Sequence, residues 1–388
     1  MKLKNNGSVN LILLTLLLCL FYGSCQESKP IHLKPDNLVD FQLIKLPKVA
    51  QDQSWWLHDP DGDLPLQHLT GNQWLVRTTP GDTTSVFRLE SGSDEPVQVS
   101  RDDSLLTITW HDHPVITYHI KPTLPPEGKP AYYQRSGFVH PAYTPEGQII
   151  TDDFPEDHEH QHGWFYALTR THFRDSLIDF WNQQSGLGTV ALRSLDSVSS
   201  GPVKADIYAT LDHLSTRFGP ILEEKFHLQV LPGSRYNIFY WQSTLTNTTT
   251  DTLFADDYLY GGMGMRGPAA WNEADSIHFE GRAHALTNEG KTLEEANHTH
   301  PVWAAMYGKL GNQSAGWAII DQRENINFPQ PVRVHPEMPY FSKSPMVGHP
   351  YFLAPDEPMT LRYILVTYDG EPNPELINAL AARLPDLF

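Results

Sequence analysis

Past residue 25 the chain has no cysteine. A mature domain starting there has no disulfide, no thiol nucleophile and no cysteine-ligated metal. The two cysteines, Cys19 and Cys25, sit within and just after the apolar run 11–22. Positive charge is also scarce. Lys and Arg number 28 against 46 Asp and Glu, a formal net charge of −18. So acidic a chain is not expected to bind nucleic acid. After residue 25 no apolar run is long enough for a membrane-spanning helix. No Gly-x-Ser-x-Gly elbow supports a serine hydrolase. The glycine-rich stretch Tyr260-Gly261-Gly262-Met263-Gly264-Met265-Arg266 lacks the Lys-Ser/Thr of a phosphate cradle.

The first residues read as an address rather than as fold. Lys2 and Lys4 precede the apolar run, which only Thr15 interrupts and which is too short to span a bilayer comfortably. The run ends in Tyr22-Gly23-Ser24-Cys25, small residues before a cysteine, as at a bacterial lipoprotein processing site. The expected division is a signal peptide over 1–24, lipid on Cys25 and a tether over 25–36. An ordinary secretory signal cleaved nearby is the alternative. Both place the protein outside the cytoplasm, in the periplasm or anchored at the outer membrane. The lipid on Cys25 would be its only membrane contact.

Residues 37–388 read as one β-rich domain. Short strands and turns run to about residue 120, with Gly71-Asn72 and Pro80-Gly81-Asp82 as turn signals. Segments 221–231, 236–246 and 359–368 alternate or run apolar as strands do. The proline-rich stretch 122–130 is a candidate seam between a lobe over 37–121 and a main lobe over 131–388. One segment reads as helix. Asn373 can cap it, Pro374 suits its first position, and Leu376, Ile377, Leu380 and Leu384 form an apolar stripe. The fold class is all-β, a large β-sandwich with one C-terminal helix.

Chemistry concentrates at 152–162, where five carboxylates and three histidines fall within eleven residues. Histidine changes charge near neutral pH and ligates metals. Carboxylates beside it can orient the ring or raise its pKa. On an extended strand His158, His160 and His162 would share one face, and could hold a divalent metal with a further ligand from elsewhere. Metal-free acid–base chemistry, substrate hydrogen bonding and a polar surface loop are the alternatives. His298 and His300 repeat the alternate spacing, and His140 and His335 each precede a proline. Asp179, flanked by bulky apolar residues, is either buried with a partner, aimed into a pocket, or on a half-exposed strand. Arg266 is an anion clamp or a structural ion pair.

Several of these segments occur in order in one family: Tyr133-Gln134-Arg135-Ser136-Gly137-Phe138-Val139-His140-Pro141, Thr151-Asp152-Asp153-Phe154-Pro155 with Asp157-His158-Glu159-His160-Gln161-His162-Gly163, Asp179-Phe180-Trp181-Asn182, Tyr260 to Arg266, and Leu361-Arg362-Tyr363 with Tyr368-Asp369-Gly370. Over residues 110–372 the chain resembles the uncharacterised family DUF6807, often labelled the "PmoA family". That label points to a subunit of methane monooxygenase, an integral membrane protein. A chain with no spanning segment after residue 25 does not fit it. Gln161 and His162 stand where the family's run often has His and Arg. The resemblance implies an exported protein of polysaccharide-degrading bacteria with a carbohydrate ligand.

In that setting the expected fold is a supersandwich similar to galactose mutarotases. The expected activity is an epimerase, lyase or hydrolase working by His/Asp acid–base chemistry. His158 or His160 is the candidate acid, and Asp153 or Asp179 the base or orienter. Arg135 and Arg266 would hold hydroxyl or carboxylate groups. Trp164, Phe165 and Trp181 would stack on sugar rings. His140, His298 and His335 would complete the pocket wall. No cofactor is certain, and a divalent metal on His158, His160 and His162 stays open. The alternative function is a surface lipoprotein that binds glycan without turnover.

Overall fold

The computed structural model describes residues 31–33, 38–46, 55–59, 62–78, 85–91 and 97–384. Cys25 and the expected leader lie outside the described residues. Part of the expected tether is a strand: Ile31–Leu33 pairs with Ser85–Ser91.

Among the described residues the chain builds four antiparallel sheets. The large sheet runs in the order Gly188–Ser200, Ala205–Ser215, Gly219–Leu231, Tyr236–Asn247, Pro358–Asp369, Gln313–Asp321, Trp303–Leu310, His284–Thr287. The covering sheet runs Val332–Val334, Tyr340–Lys343, Gly262–Arg266, Trp164–Ala167, Val139–Ala142, His113–His119, Leu105–Trp110, Val97–Arg101. A six-stranded sheet gathers the N-terminal strands, and a small sheet joins Ser176–Ile178, Thr171–Phe173, Leu253–Ala255 and Tyr351–Leu353.

Alternation along the central strands explains the layering. Successive side chains of a strand point to opposite faces. Phe239 and Trp241 face the covering sheet and join one core with Tyr118, Trp164 and Phe341. Ile238 and Tyr240, one residue out of phase, face the other way and join a second core. There they meet Phe41 and Leu75 of the N-terminal sheet and Ile377, Leu380 and Leu384 of the C-terminal helix. A sheet buried on both faces reads as long apolar runs, as 359–368 does. The helix Pro374–Arg383 forms as its sequence predicts. The Asn373 side chain accepts a hydrogen bond from the Leu376 backbone N–H at 3.1 Å. Each fully buried Ile or Leu on its inner stripe contributes roughly 1.5–3 kcal/mol. A second helix, Leu293–Ala296, is a single turn, too short to show a period.

The seam at 122–130 does not divide two lobes. Strands on either side of it pair directly, Val139 opposite Tyr118 and Ala142 opposite Ile116, so the stretch is a connection within the covering sheet. The separate sheet instead takes strands up to Ser91.

Candidate functional site

The histidine-rich run folds as a closed loop, not a strand. At its base Asp153 bridges His162, and the Gly163 backbone N–H donates to the Asp152 carbonyl at 2.7 Å. At its tip two turns form, with the His158 N–H on the Pro155 carbonyl and the Gln161 N–H on the His158 carbonyl. Pro155 cannot donate to a ladder and favours such a turn. Gly163 then crosses beneath Val139. A Cβ there would lie 2.0 Å from the Val139 carbonyl oxygen, so no other residue fits without movement of the sheet.

Base and tip hold different kinds of histidine. His162 is fully buried. Its Nδ1 lies 2.6 Å from Asp153 Oδ1 and its Nε2 3.2 Å from Gln183 Oε1. The Gln183 amide nitrogen donates to the Gln134 carbonyl and to Thr189 Oγ1, which fixes Oε1 toward the ring. Both imidazole nitrogens therefore face acceptors. At the tip, His158 and His160 have ring centroids 5.6 Å apart, and His335 lies 6.2 Å from His158. Among the described residues His160 has no hydrogen-bond partner for its ring, although only 7% of the residue is exposed. Burial, helped by the neighbouring imidazoles and Arg266, pushes its pKa down to about 3. Burial and Arg333 push His335 down to about 4.

His158, His160 and His335 line a cavity of about 210 Å³. That is below the ~300–1,000 Å³ of pockets for drug-sized ligands and suits a single ring. Trp181, Asn182, Tyr260, Arg333 and Tyr340 form much of the remaining wall. The wall comes from the loop tip, the turn after Ser176–Ile178, the segment before Gly262–Arg266, and the hairpin of Val332–Val334 with Tyr340–Lys343.

Residues outside the cavity hold it in shape. Asp179 Oδ1 accepts from the backbone N–H groups of Trp181 (2.9 Å) and Asn182 (2.8 Å). Its Oδ2 accepts from Thr169 Oγ1 (3.0 Å) and Asn182 Nδ2 (2.8 Å). Asn182 in turn accepts from the Tyr260 hydroxyl at 3.0 Å. Arg266 is fully buried beneath the loop, donating to Gln161 Oε1 at 3.0 Å and Asp157 Oδ1 at 3.1 Å. Burial would raise the Asp157 carboxyl, but His158, Arg266 and Asn272 outweigh it and hold it well below the usual range. Asp157 Oδ2 lies 3.1 Å from His158 Nδ1. Burial pushes Asp152 up to about 6 against the pull of Arg266.

The candidates named from sequence thus divide. His158, His160, His335 and Trp181 meet in the cavity. Asp179 is an orienter with both oxygens occupied. Arg266 is a structural ion pair, not a ligand clamp. Trp164 and Phe165 are fully buried in the sandwich core and offer no face to a sugar. Arg135 is buried too, donating to the Tyr166 carbonyl with its guanidinium 4.9 Å from the Phe165 ring centre. His140 stands beside the loop base with Nδ1 3.0 Å from Thr151 Oγ1, and burial lowers it to about 4. His298 Nε2 lies 3.1 Å from the Leu259 carbonyl and props the cavity wall from behind. His300 Nδ1 lies 2.9 Å from the Pro329 carbonyl. The three imidazoles proposed as metal ligands do not converge, because the turn sends His162 to the base. Among the described residues no three His, Cys, Asp or Glu side chains are placed to hold a metal ion.

Arg333, Tyr260 and Tyr340 were not singled out by sequence reasoning. Arg333 carried a signal: it precedes His335 by two residues, the spacing of one strand face. Tyr260 lay inside a motif quoted for its glycines. Tyr340 carried none.

No curated protein sequence matches the chain. Among solved structures, heparan sulfate lyase HepC from Pedobacter heparinus is similar at 9% identity, covering 72% of this chain and 36% of its own, with TM-score 0.33. A GH36 alpha-galactosidase from Geobacillus stearothermophilus, solved with raffinose, is similar at 12% identity over 71% of this chain and 41% of its own, TM-score 0.29. Galactose 1-epimerase from Lactobacillus acidophilus is similar at 7% identity over 85% and 99%, TM-score 0.31. This chain therefore spans well under half of the lyase and the galactosidase. Residues 106–382 match a family of unknown function, and the chain belongs to that family, DUF6807.

Proposed function

We propose that this protein is an exported, carbohydrate-active enzyme that moves a proton on a sugar or glycoside by imidazole chemistry. The observation that carries the reading is the convergence of His158, His160 and His335 on one small cavity walled by Trp181 and Tyr260. Burial keeps His160 neutral, and among the described residues no hydrogen bond engages its ring. It is the candidate base. A group lowered to about 3 is a weak base in the empty cavity. A negative charge on the substrate would raise it toward working pH.

His335 supplies a donor. Its Nδ1 accepts the backbone N–H groups of Glu337 (3.2 Å) and Met338 (3.3 Å), so the neutral ring carries its hydrogen on Nε2. Among the described residues no Asp or Glu lines the cavity. Hydrolysis by a flanking carboxylate pair therefore has less support here than epimerisation or elimination.

Replacing His160 with Ala tests the reading. Turnover of the sugar should fall by roughly 10²–10⁴-fold, the usual weight of a general acid or base, while the melting curve stays in place. Unchanged turnover would remove His160 from the mechanism.

Glycan binding without turnover is the second reading. It is favoured by an exposed row on the small sheet, where Phe254 pairs with Phe352 across the ladder and each is more than half exposed. Aromatic faces of this kind stack on sugar rings. Binding that survives loss of the cavity histidines but is lost in Phe254→Ala would establish it.

A further inference from the structure

The cavity is an electrostatic exception on this protein. The chain carries 46 carboxylates against 28 Lys and Arg, yet among the described residues no acid lines this wall and one arginine does. Asp157 sits behind His158, its Oδ2 3.1 Å from the ring's Nδ1. Its charge is answered by Arg266 Nη2 at 3.1 Å and by Asn272 Nδ2 at 3.0 Å.

Arg333 has no such answer. It is half-buried, and its Nη1 donates to the neutral Asn297 Oδ1 at 3.0 Å. Among the described residues no carboxylate comes within ion-pair distance of it. A guanidinium has five N–H donors in a fixed fork, and most of these remain available. Two residues on, His335 shares its strand face, while Val334 between them is buried in the core. With Nδ1 held by the backbone of its own turn, His335 presents Nε2–H alone. Tyr340, from the partner strand of the hairpin, adds a buried hydroxyl with no partner in hydrogen-bond geometry among the described residues.

These groups have donors to give and no anion to receive them. We infer that Arg333 and His335 form an anion subsite in the cavity, and that the sugar taken there carries a carboxylate or a sulfate. The choice of a sugar rests on the carbohydrate reading above; the anion subsite does not. Charge-assisted, bidentate bonds to Arg are roughly twice as strong as neutral ones. They discriminate sharply against a ligand that lacks the anion.

Titration calorimetry with four probes tests this: D-glucuronic acid, D-glucose 6-sulfate, D-glucose and sodium sulfate. The wild-type protein should bind one of the two acidic sugars at least tenfold more tightly than D-glucose. Arg333→Ala should remove that preference, and Arg333→Lys should keep part of it, since the charge survives without the fork. Preference for the glucuronate or for the sulfate ester identifies the substituent. His335→Ala should weaken the acidic sugar too, and serves if the arginine variant fails to fold. Equal binding of D-glucose and the acidic sugars overturns the inference and leaves the carbohydrate reading intact. Arg333-dependent binding of sulfate ion with no sugar bound supports the anion subsite and sinks the carbohydrate reading. No binding of any probe overturns the subsite.

Discussion

His162 and His160 stand two residues apart, at the base and the tip of one loop. His162 is buried with an acceptor at each ring nitrogen, Asp153 at 2.6 Å and Gln183 at 3.2 Å. His160 is nearly as buried and has no partner among the described residues. The base therefore holds the loop closed, while the tip leaves its ring facing the cavity. Residue type does not separate structure from chemistry here. Partner count does.

If the base is structural, breaking it should cost the most. Asp153→Ala leaves His162 without its carboxylate and should destabilise the fold by about 3–5 kcal/mol in urea unfolding. His160→Ala should change the same midpoint by less than about 1 kcal/mol, since it deletes no bond. Equal losses at both positions would erase the comparison. Arg266→Met should come next, at about 2–4 kcal/mol, because Asp157 is left half-buried without its cation. It should also weaken sugar binding through a loosened tip.

Acid sharpens the contrast further. His140, His160 and His335 are held at about 4, 3 and 4, below the ordinary value near 6.5. As pH falls through 6.5, the unfolded chain takes up protons that these folded imidazoles refuse. Stability is therefore lost between pH ~6.5 and ~4. Asp152, raised to about 6, works in the opposite direction, since the folded state holds its proton first. With His119, also lowered by burial, four imidazoles work against that one carboxyl, and the net fall is roughly 3–5 kcal/mol between pH 7.5 and 5. A flat urea midpoint over that range would show that the rings are not sealed from water. Asp179→Asn should cost less than the Asp153 and Arg266 changes, about 1–2 kcal/mol, because an amide cannot accept at both of its ends. Its clearer signature should be weaker ligand binding, as Trp181 and Asn182 lose the anchor that sets the cavity wall.

Much of this layout was legible in the residues. The central strands showed their alternation, and the C-terminal helix its cap, its proline and its stripe. The location of the site was legible too, because few segments concentrate so many titratable groups. Its geometry was not. Alternate spacing suggested a strand, but Pro155 and the bridge from Asp153 to His162 make a loop, so two rings meet where three were expected. Trp164 and Phe165 read as sugar platforms, yet they belong to a strand at the centre of the covering sheet, where both faces are filled. Arg333 went unnoticed for a different reason. What distinguishes it is the lack of a carboxylate beside it, and that depends on segments far away in the chain.

The pinned base of the loop has a consequence for how such a site can change. Asp153, His162, Gly163 and Arg266 fix where the loop leaves the sheet and where it returns. Residues 158–160 hang from that frame, between Asp157 and Gln161, which Arg266 holds. Exchanges among them are free to alter what enters the cavity at small cost in folding. The frame makes recognition and foldability separately mutable, which lets one scaffold be retuned from ligand to ligand.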